Sequence, residues 1–271
     1  MDQETVTKDL GRELEKGRFE EHSHFKLLPP GYTASPLGLT DKADGSKRRI
    51  HHLSYPPDHN TSINIQIPEH YGTIEYSSID EAIAAILKYG CGCRFVKRDF
   101  ESAFRHSLVS PIDSPLLGFE CQGKYFAERY LPYGLRTAPY VFNLFAEVFH
   151  WILADKMKSQ EMQGEVIHYL DDFLIVLPAN GNMNRYSRLF TKSCEEVGLT
   201  VKEAKSEEGL VASFGGVELD TAKMIIRLPT RKLAKAKKLV AAAVNSDALT
   251  LLELQTLTGF LNFICIVTPL G

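Results

Sequence analysis

The sequence contains no run of eighteen or more apolar residues, so nothing in it reads as a membrane-spanning helix. Its start, Met1-Asp-Gln-Glu4, has neither the basic residues nor the apolar segment of a secretory leader. An intracellular protein without a membrane partner is expected. Cysteine is scarce and odd in number: the 5 residues Cys91, Cys93, Cys121, Cys194 and Cys265 lack the paired spacing of a metal finger. Reduced, mostly buried thiols are expected, with Cys91-Gly-Cys93 serving packing. The single tryptophan, Trp151, is also read as packing. Positive charge is not in surplus either, since 31 Lys and Arg against 34 Asp and Glu leave a net charge of −3. A chain dominated by nucleic-acid binding is often basic overall, so this counts against that class. Distribution softens the objection. Acids crowd the first 21 residues, while Lys42, Lys47, Arg48 and Arg49 form one basic group and Arg231, Lys232, Lys235, Lys237 and Lys238 another. Repeats and low-complexity tracts are absent as well.

What is present suffices for a sizeable core, because 44% of the 271 residues are hydrophobic and 24% charged. One domain, or two or three packed subdomains, would fit. The most informative segment is Val166-Ile-His-Tyr-Leu-Asp-Asp-Phe-Leu-Ile-Val-Leu177, in which Asp171 and Asp172 sit between two apolar runs of strand length. A tight hairpin turn ordinarily takes Asn-Gly or Asp-Gly, and adjacent like charges raise the cost of ionising both. A solvated acidic turn is one reading. The other is a bound divalent cation, since a hard ion such as Mg²⁺ takes oxygens from one or two carboxylates and leaves positions for phosphate.

Tyr169-Leu-Asp-Asp172 resembles the Tyr-x-Asp-Asp signature of reverse transcriptases, and two further segments support the resemblance. Arg94-Phe-Val-Lys-Arg-Asp-Phe-Glu-Ser-Ala-Phe-Arg105 is similar to that family's first carboxylate motif, with a strand ending at Asp99. Leu131-Pro-Tyr-Gly-Leu-Arg-Thr-Ala-Pro139 is similar to its Leu-Pro-x-Gly-x-x-x-Ser/Ala-Pro segment. The three stand in the family's order. Leucine before Asp171, together with Leu131-Pro-Tyr-Gly-Leu135, is closer to the long-terminal-repeat and DIRS-like branches than to the non-LTR group.

The resemblance implies an α+β right-hand polymerase with fingers, a palm of antiparallel sheet backed by helices, and a short thumb. Residues 1–25 then form an acidic peripheral arm, with Gly11 and Gly17 interrupting any helix; residues 26–220 form fingers and palm, and 221–271 a partial thumb. No ribonuclease H, protease or integrase region is expected in the residues that follow the start of the thumb. The polypeptide is therefore expected to be the polymerase part of a retroelement product, or a truncated or domesticated relative. The implied activity is RNA-directed DNA polymerisation, a nucleotidyl transfer that extends a DNA or RNA primer on an RNA or DNA template with dNTPs. Two Mg²⁺ ions, or Mn²⁺ in their place, would serve it. Further retroelement domains or subunits would complete the thumb. The alternatives are a catalytically silent binding module with the same fold and an RNA-dependent RNA polymerase.

By the same resemblance Asp99 and Asp171 bridge the metals, the carbonyl of Phe100 completes one ion's shell, and Asp172 adds charge and a weaker ligand. Lys205 stands where the family has a lysine that protonates pyrophosphate. A hairpin from Leu37 to Leu53, with Asp44-Gly45 at its turn, carries Lys47, Arg48 and Arg49, which would hold the triphosphate; which arginine leads stays open. His51-His52 stands where the family usually has an acid. Phe104 would exclude a ribose hydroxyl, Tyr133 and Gly134 would border the nucleotide pocket, and Tyr169 would lie at the primer terminus. Phe214, Gly215 and Gly216 resemble the primer grip, where glycine allows close backbone approach. Apolar spacing predicts helices over 79–88, 184–197, 230–244 and 251–267, and over 137–157, where Val141, Leu144, Phe145, Val148, Phe149 and Ile152 are expected to form core beneath the active strands.

Overall fold

A computed structural model describes residues 3–268 apart from 42–44, 46, 58, 59, 75, 77 and 78. Lys42 and Asp44, from the expected basic group and hairpin turn, lie outside the described residues. Along the chain run α1 (Gln3–Glu15), β1 (Phe19–His22), β2 (Leu37–Asp41), β3 (Lys47–His51), the short α2 (Ile63–Gln66), α3 (Ile79–Tyr89), β4 (Arg94–Asp99), β5 (Gly118–Cys121), β6 (Lys124–Glu128) and α4 (Ala138–Ser159). Then follow β7 (Glu165–Tyr169), β8 (Asp172–Leu177), α5 (Met183–Val197), β9 (Glu207–Gly209), β10 (Val211–Phe214), β11 (Val217–Asp220), β12 (Ile225–Arg227), α6 (Thr230–Val244) and α7 (Leu251–Ile264). The fold is mixed, with antiparallel sheets. It divides into two units: Met1–Glu75 with Phe100–Phe149, and Tyr76–Asp99 with His150–Gly271.

In the first unit a three-stranded sheet of order β1-β6-β5 accompanies the β2-β3 hairpin. The amino-terminal segment is a helix, not a peripheral arm. Val6 and Leu10, one turn apart on α1, are buried against Phe19, Phe119 and Phe126. Gly11 inside the helix costs about 1 kcal/mol relative to alanine. Burying two aliphatic side chains contributes about 1.5–3 kcal/mol each, so packing overrides the glycine. A second cluster joins Leu53, Leu117, Leu131, Leu135 and Ala138, with Phe104 and Val141 against its edge.

In the second unit a four-stranded antiparallel sheet has the order β7-β8-β4-β9. β8 is internal, which is why Phe173 to Leu177 reads as an unbroken apolar run and every one of these residues is buried. Phe95, Leu174 and Val176 of the sheet pack with Ala82, Ala85 and Ile86 of α3 and with Ala212, Phe214, Val217 and Leu219 of β10 and β11. α5 contributes Tyr186, Leu189, Phe190 and Cys194. α7 begins at a capping box in which Thr250 and Glu253 satisfy each other's backbone N–H groups.

Two expectations about side-chain placement are corrected. On α4 the buried residues are Ala138, Phe142, Ala146, Phe149, Leu153 and Met157, whereas Leu144, Phe145 and Val148 are exposed and Trp151 is 67% exposed. The helix is apolar over most of its circumference, so spacing does not single out the inward stripe; Ala138 and Ala146, small enough for close approach, mark it. Among the free thiols Cys93 and Cys194 are buried, Cys121 is half-buried, and Cys91 and Cys265 are exposed, so burial applies to a minority. Burial pushes the Cys194 thiol up to about 12. Among the described residues no helix is long and apolar enough to cross a membrane.

Candidate active site

Strands β7 and β8 pair with Tyr169 opposite Asp172, so Leu170 and Asp171 form a two-residue turn. Leu170 has φ of 54°, a conformation that glycine adopts freely and leucine does not. The turn is thus held by its flanking strands rather than by its own preference. On its other side β8 pairs with β4, placing Asp172 directly opposite Asp99. Like charges facing each other across strands are destabilising, which raises the question of what compensates them.

Two lysines do. Lys97, whose side chain is 8% exposed, brings Nζ to 3.3 Å from Asp172 Oδ1 and 3.2 Å from Glu207 Oε1. It lies two residues before Asp99 and therefore on the same face of β4. Sequence reasoning passed over Lys97, although that two-residue offset on a strand was the available signal. Lys205 places Nζ 2.6 Å from Asp99 Oδ2. Its turn is anchored because the Lys202 N–H donates to the Asp99 carbonyl at 2.7 Å. Burial lowers the affinity of Lys97 for its proton, but Asp172 and Glu207 outweigh that and hold the ammonium above its usual range. The Asp172 carboxyl is pushed up to about 7, first by burial and then by Asp99 and Asp171, against the pull of Lys97.

The fit to a divalent cation can be judged on these atoms. Asp172 Oδ1 is buried and, despite the nearby ammonium, lacks a well-formed hydrogen bond, so it is an acceptor that a cation would satisfy. Carboxylate oxygens are the ligands that Mg²⁺ prefers. Among the described residues no three His, Cys, Asp or Glu side chains converge as a ready-made cage. That suits an ion held by one or two carboxylates with water and substrate phosphate in its other positions. The residues present fit such an ion.

Beside the turn, Tyr169 stacks on Tyr76 with ring centroids 4.4 Å apart, and both are about 40% exposed. Tyr76 was not foreseen, since no local pattern links it to a residue so far along the chain. Phe214 is buried, and Gly215 and Gly216 form the two-residue turn between β10 and β11 with φ of 56° and 81°. Positive φ at both positions is the requirement of a type I′ hairpin. A Cβ on Gly216 would meet Lys232 Nζ at 2.2 Å, so α6 approaches this turn closely.

The remaining candidates belong to the first unit. Tyr133 is their meeting point: the Arg48 guanidinium lies 4.5 Å from its ring centroid and the Phe104 ring 5.4 Å from it. Lys47 and Arg48 are exposed on β3. Arg49 is not available to a ligand in the same way. Its side chain is 3% exposed and is committed to Asp9 at 3.1 Å and Glu128 at 3.6 Å. Of the two arginines, Arg48 is the exposed one. Gly134 is required by packing, because a Cβ there would sit 1.9 Å from the His51 carbonyl oxygen. Phe100 is buried, with edge contacts to Phe142 and Phe149. Its carbonyl adjoins Asp99 by chain connection.

The sequence profile of the family described as reverse transcriptase (RNA-dependent DNA polymerase) matches residues 48–238. No curated protein sequence matches significantly. Among solved structures, the foamy viral protease-reverse transcriptase in complex with double-stranded DNA is 17% identical with a TM-score of 0.69, over 96% of this chain and 40% of that one. The same viral protein with an RNA/DNA hybrid is 17% identical with a TM-score of 0.64, over 97% of this chain and 31% of that one. A further double-stranded DNA complex is 18% identical with a TM-score of 0.62, over 96% and 47%. At such identities the likeness is one of fold, and this chain spans less than half the length of each.

Proposed function

This chain belongs to the reverse transcriptase family, and we propose that it extends a primer with deoxynucleotides on an RNA template. The observation that carries the proposal is the placement of Asp99 opposite Asp172 on neighbouring strands with Asp171 in the turn between β7 and β8. Bound Mg²⁺ or Mn²⁺ would supply neutralisation of phosphate charge and activation of the primer 3′-hydroxyl. Asp99 and Asp171 would hold the ions, with the Phe100 carbonyl, and Asp172 would contribute charge and a weaker ligand. Lys205 neutralises Asp99 while no ion is bound and serves the departing pyrophosphate as a proton source. Arg48 and Lys47 grip the triphosphate, and Gly134 keeps the turn beneath Tyr133 close to β3. Tyr169 supports the primer end, and the Phe214-Gly-Gly216 turn serves as the primer grip.

Primer extension on an RNA template with dNTPs and Mg²⁺ or Mn²⁺ is the direct test. Wild-type protein should extend, and Asp171→Asn should lose about 10²- to 10³-fold in rate, the scale of removing a preorganised electrostatic contact from a transition state. Unchanged extension by folded Asp171→Asn protein would sink the assignment. Nucleic-acid binding without any extension by the wild type would favour a silent binding module instead.

Phe104 sets the sugar preference in this reading, since its ring would leave no room for a 2′-hydroxyl. Phe104→Val should therefore lower the kcat/KM ratio of dNTP over rNTP by about 10- to 200-fold, the range for a pocket that loses a shape contact. A ratio equal to the wild type would return Phe104 to a packing role.

A further inference from the structure

We propose that a buried ion network centred on Glu128 positions the nucleotide-contacting face formed by Arg48, Tyr133 and Phe104, and that helix α1 is a working part of it. The inference rests on the nucleotide-binding reading given above. Glu128 is 0% exposed at the end of β6. Its carboxylate takes Arg105 Nη1 at 2.5 Å and Arg49 Nη1 at 3.6 Å. From α1, Asp9 accepts from Arg49 Nε at 3.1 Å. Glu13, one turn later on the same face, lies 3.8 Å from Arg105 Nε and accepts from Arg18 at 2.9 Å. Three acids and three guanidiniums thus close on one another, and the aromatic rings of Phe19 and Phe119 cover Arg49.

Stability alone is a poor reason for this arrangement, because an apolar cluster of similar volume is often as stabilising as a buried ion network. What such a network adds is direction. Each buried cation is the chain neighbour of a candidate nucleotide contact: Arg49 adjoins Arg48, and Arg105 adjoins Phe104. On a strand, adjacent side chains point to opposite faces, so fixing Arg49 inward fixes Arg48 outward over Tyr133. Arg105 reaches the same ring at 5.9 Å. Two residues after Arg49, the His51 N–H donates to the Tyr133 carbonyl at 2.7 Å, while the His51 ring sets Nε2 3.0 Å from the Gly118 carbonyl oxygen and Nδ1 3.8 Å from Glu128 Oε1. The three contact residues are therefore held from behind by one connected set.

Asp9 is the discriminating position, because it lies at the rim of the network and pairs with Arg49 and Arg12 rather than with Arg48, Tyr133 or Phe104. With the full chain in primer extension, Asp9→Asn should raise KM for dNTP about three- to tenfold with kcat within about twofold, the signature of lost binding rather than lost chemistry. The kcat/KM preference for dNTP over rNTP should fall with it, and Asp9→Glu should restore both. Glu128→Gln, assayed alongside at a temperature where melting curves show it folded, should produce the larger change in the same direction. Wild-type KM and sugar preference in both variants, whatever their melting temperatures, would show the network to be structural and overturn the inference alone. Wild-type protein that neither extends a primer nor discriminates sugars would remove the polymerase reading, and this inference with it.

Discussion

In the first unit Asp9, Glu13 and Glu128 face Arg18, Arg49 and Arg105; in the second, Asp99, Asp172 and Glu207 share the two ammonium groups of Lys97 and Lys205. The first set is fully matched, each acid having a guanidinium whose fixed fork holds it in a defined direction, with exposed Arg12 also paired to Asp9. His51, embedded in it, is pushed down to about 3 by burial and then by Arg49, so it stays neutral and does not upset the match. The second set is unmatched and uses lysine, a mobile point charge that can withdraw. A cluster meant to stay closed and one meant to admit a cation thus differ in both stoichiometry and the kind of base employed.

The largest effect on stability should come from breaking the matched set. Glu128→Ala leaves Arg49 and Arg105 buried without their shared partner and should cost about 3–5 kcal/mol, the range for removing one member of a buried ion pair. Urea denaturation measures it directly. Asp99→Ala, which removes an acid from the unmatched set, should cost far less or even stabilise, because it relieves repulsion with Asp172. Equal losses in the two variants would erase the distinction between the clusters.

A smaller effect separates the sets by pH. The folded-state carboxyl of Asp172 titrates near 7, above its unfolded value of 3.8. An acid whose folded pKa is raised favours folding in its protonated form. Its contribution is present at low pH and is lost as pH rises from about 4 through 7. Stability measured without divalent cations should therefore decline over that window by on the order of a few kcal/mol, and Asp172→Asn should remove this component. Mg²⁺ should flatten the decline by favouring the ionised form, in proportion to its affinity. A pH profile identical in wild type and Asp172→Asn would show that Asp172 does not carry the imbalance.

How much of this was legible in the sequence depends on how local the cause is. α6 was readable because alanine and lysine favour helix throughout and Pro229 suits a helix start. The Asp-Asp hairpin and the Gly215-Gly216 turn were readable because strand period and turn chemistry lie within a dozen residues. The inward stripe of α4 was not, since its apolar residues surround the helix. Nor was α1, where tertiary burial of Val6 and Leu10 outweighs a glycine. The Glu128 network was least legible of all. Its members come from α1, β3, the turn after β4 and β6, and burial of a charge is decided by partners far away in sequence. Lys97 sits between these extremes: its face was readable, but its pairing with Asp172 required knowing that β4 and β8 are neighbours.

The smallest effect concerns the rim of the unmatched cluster, where Tyr76 and Tyr169 stack while staying about 40% exposed. If the acids are open for a ligand, the rings beside them should be open for the same one. Burial first, and Tyr169 second, raises the Tyr76 phenol above its usual range, so the Tyr76 ring stays neutral in the physiological range. Neutral rings suit base stacking. Tyr76→Ala removes one face of support from Tyr169 and should weaken primer–template binding by about 0.5–1.5 kcal/mol, the worth of an aromatic pair beyond its burial. Tyr76→Phe should retain binding, because the ring and not the hydroxyl is at work. Anisotropy of a labelled primer–template at one fixed ionic strength reads the difference, since phosphate contacts vary steeply with salt. An unchanged Kd for Tyr76→Ala would mean that Tyr169 is positioned by its strand alone, leaving the acids as the only part of this region shaped for a ligand.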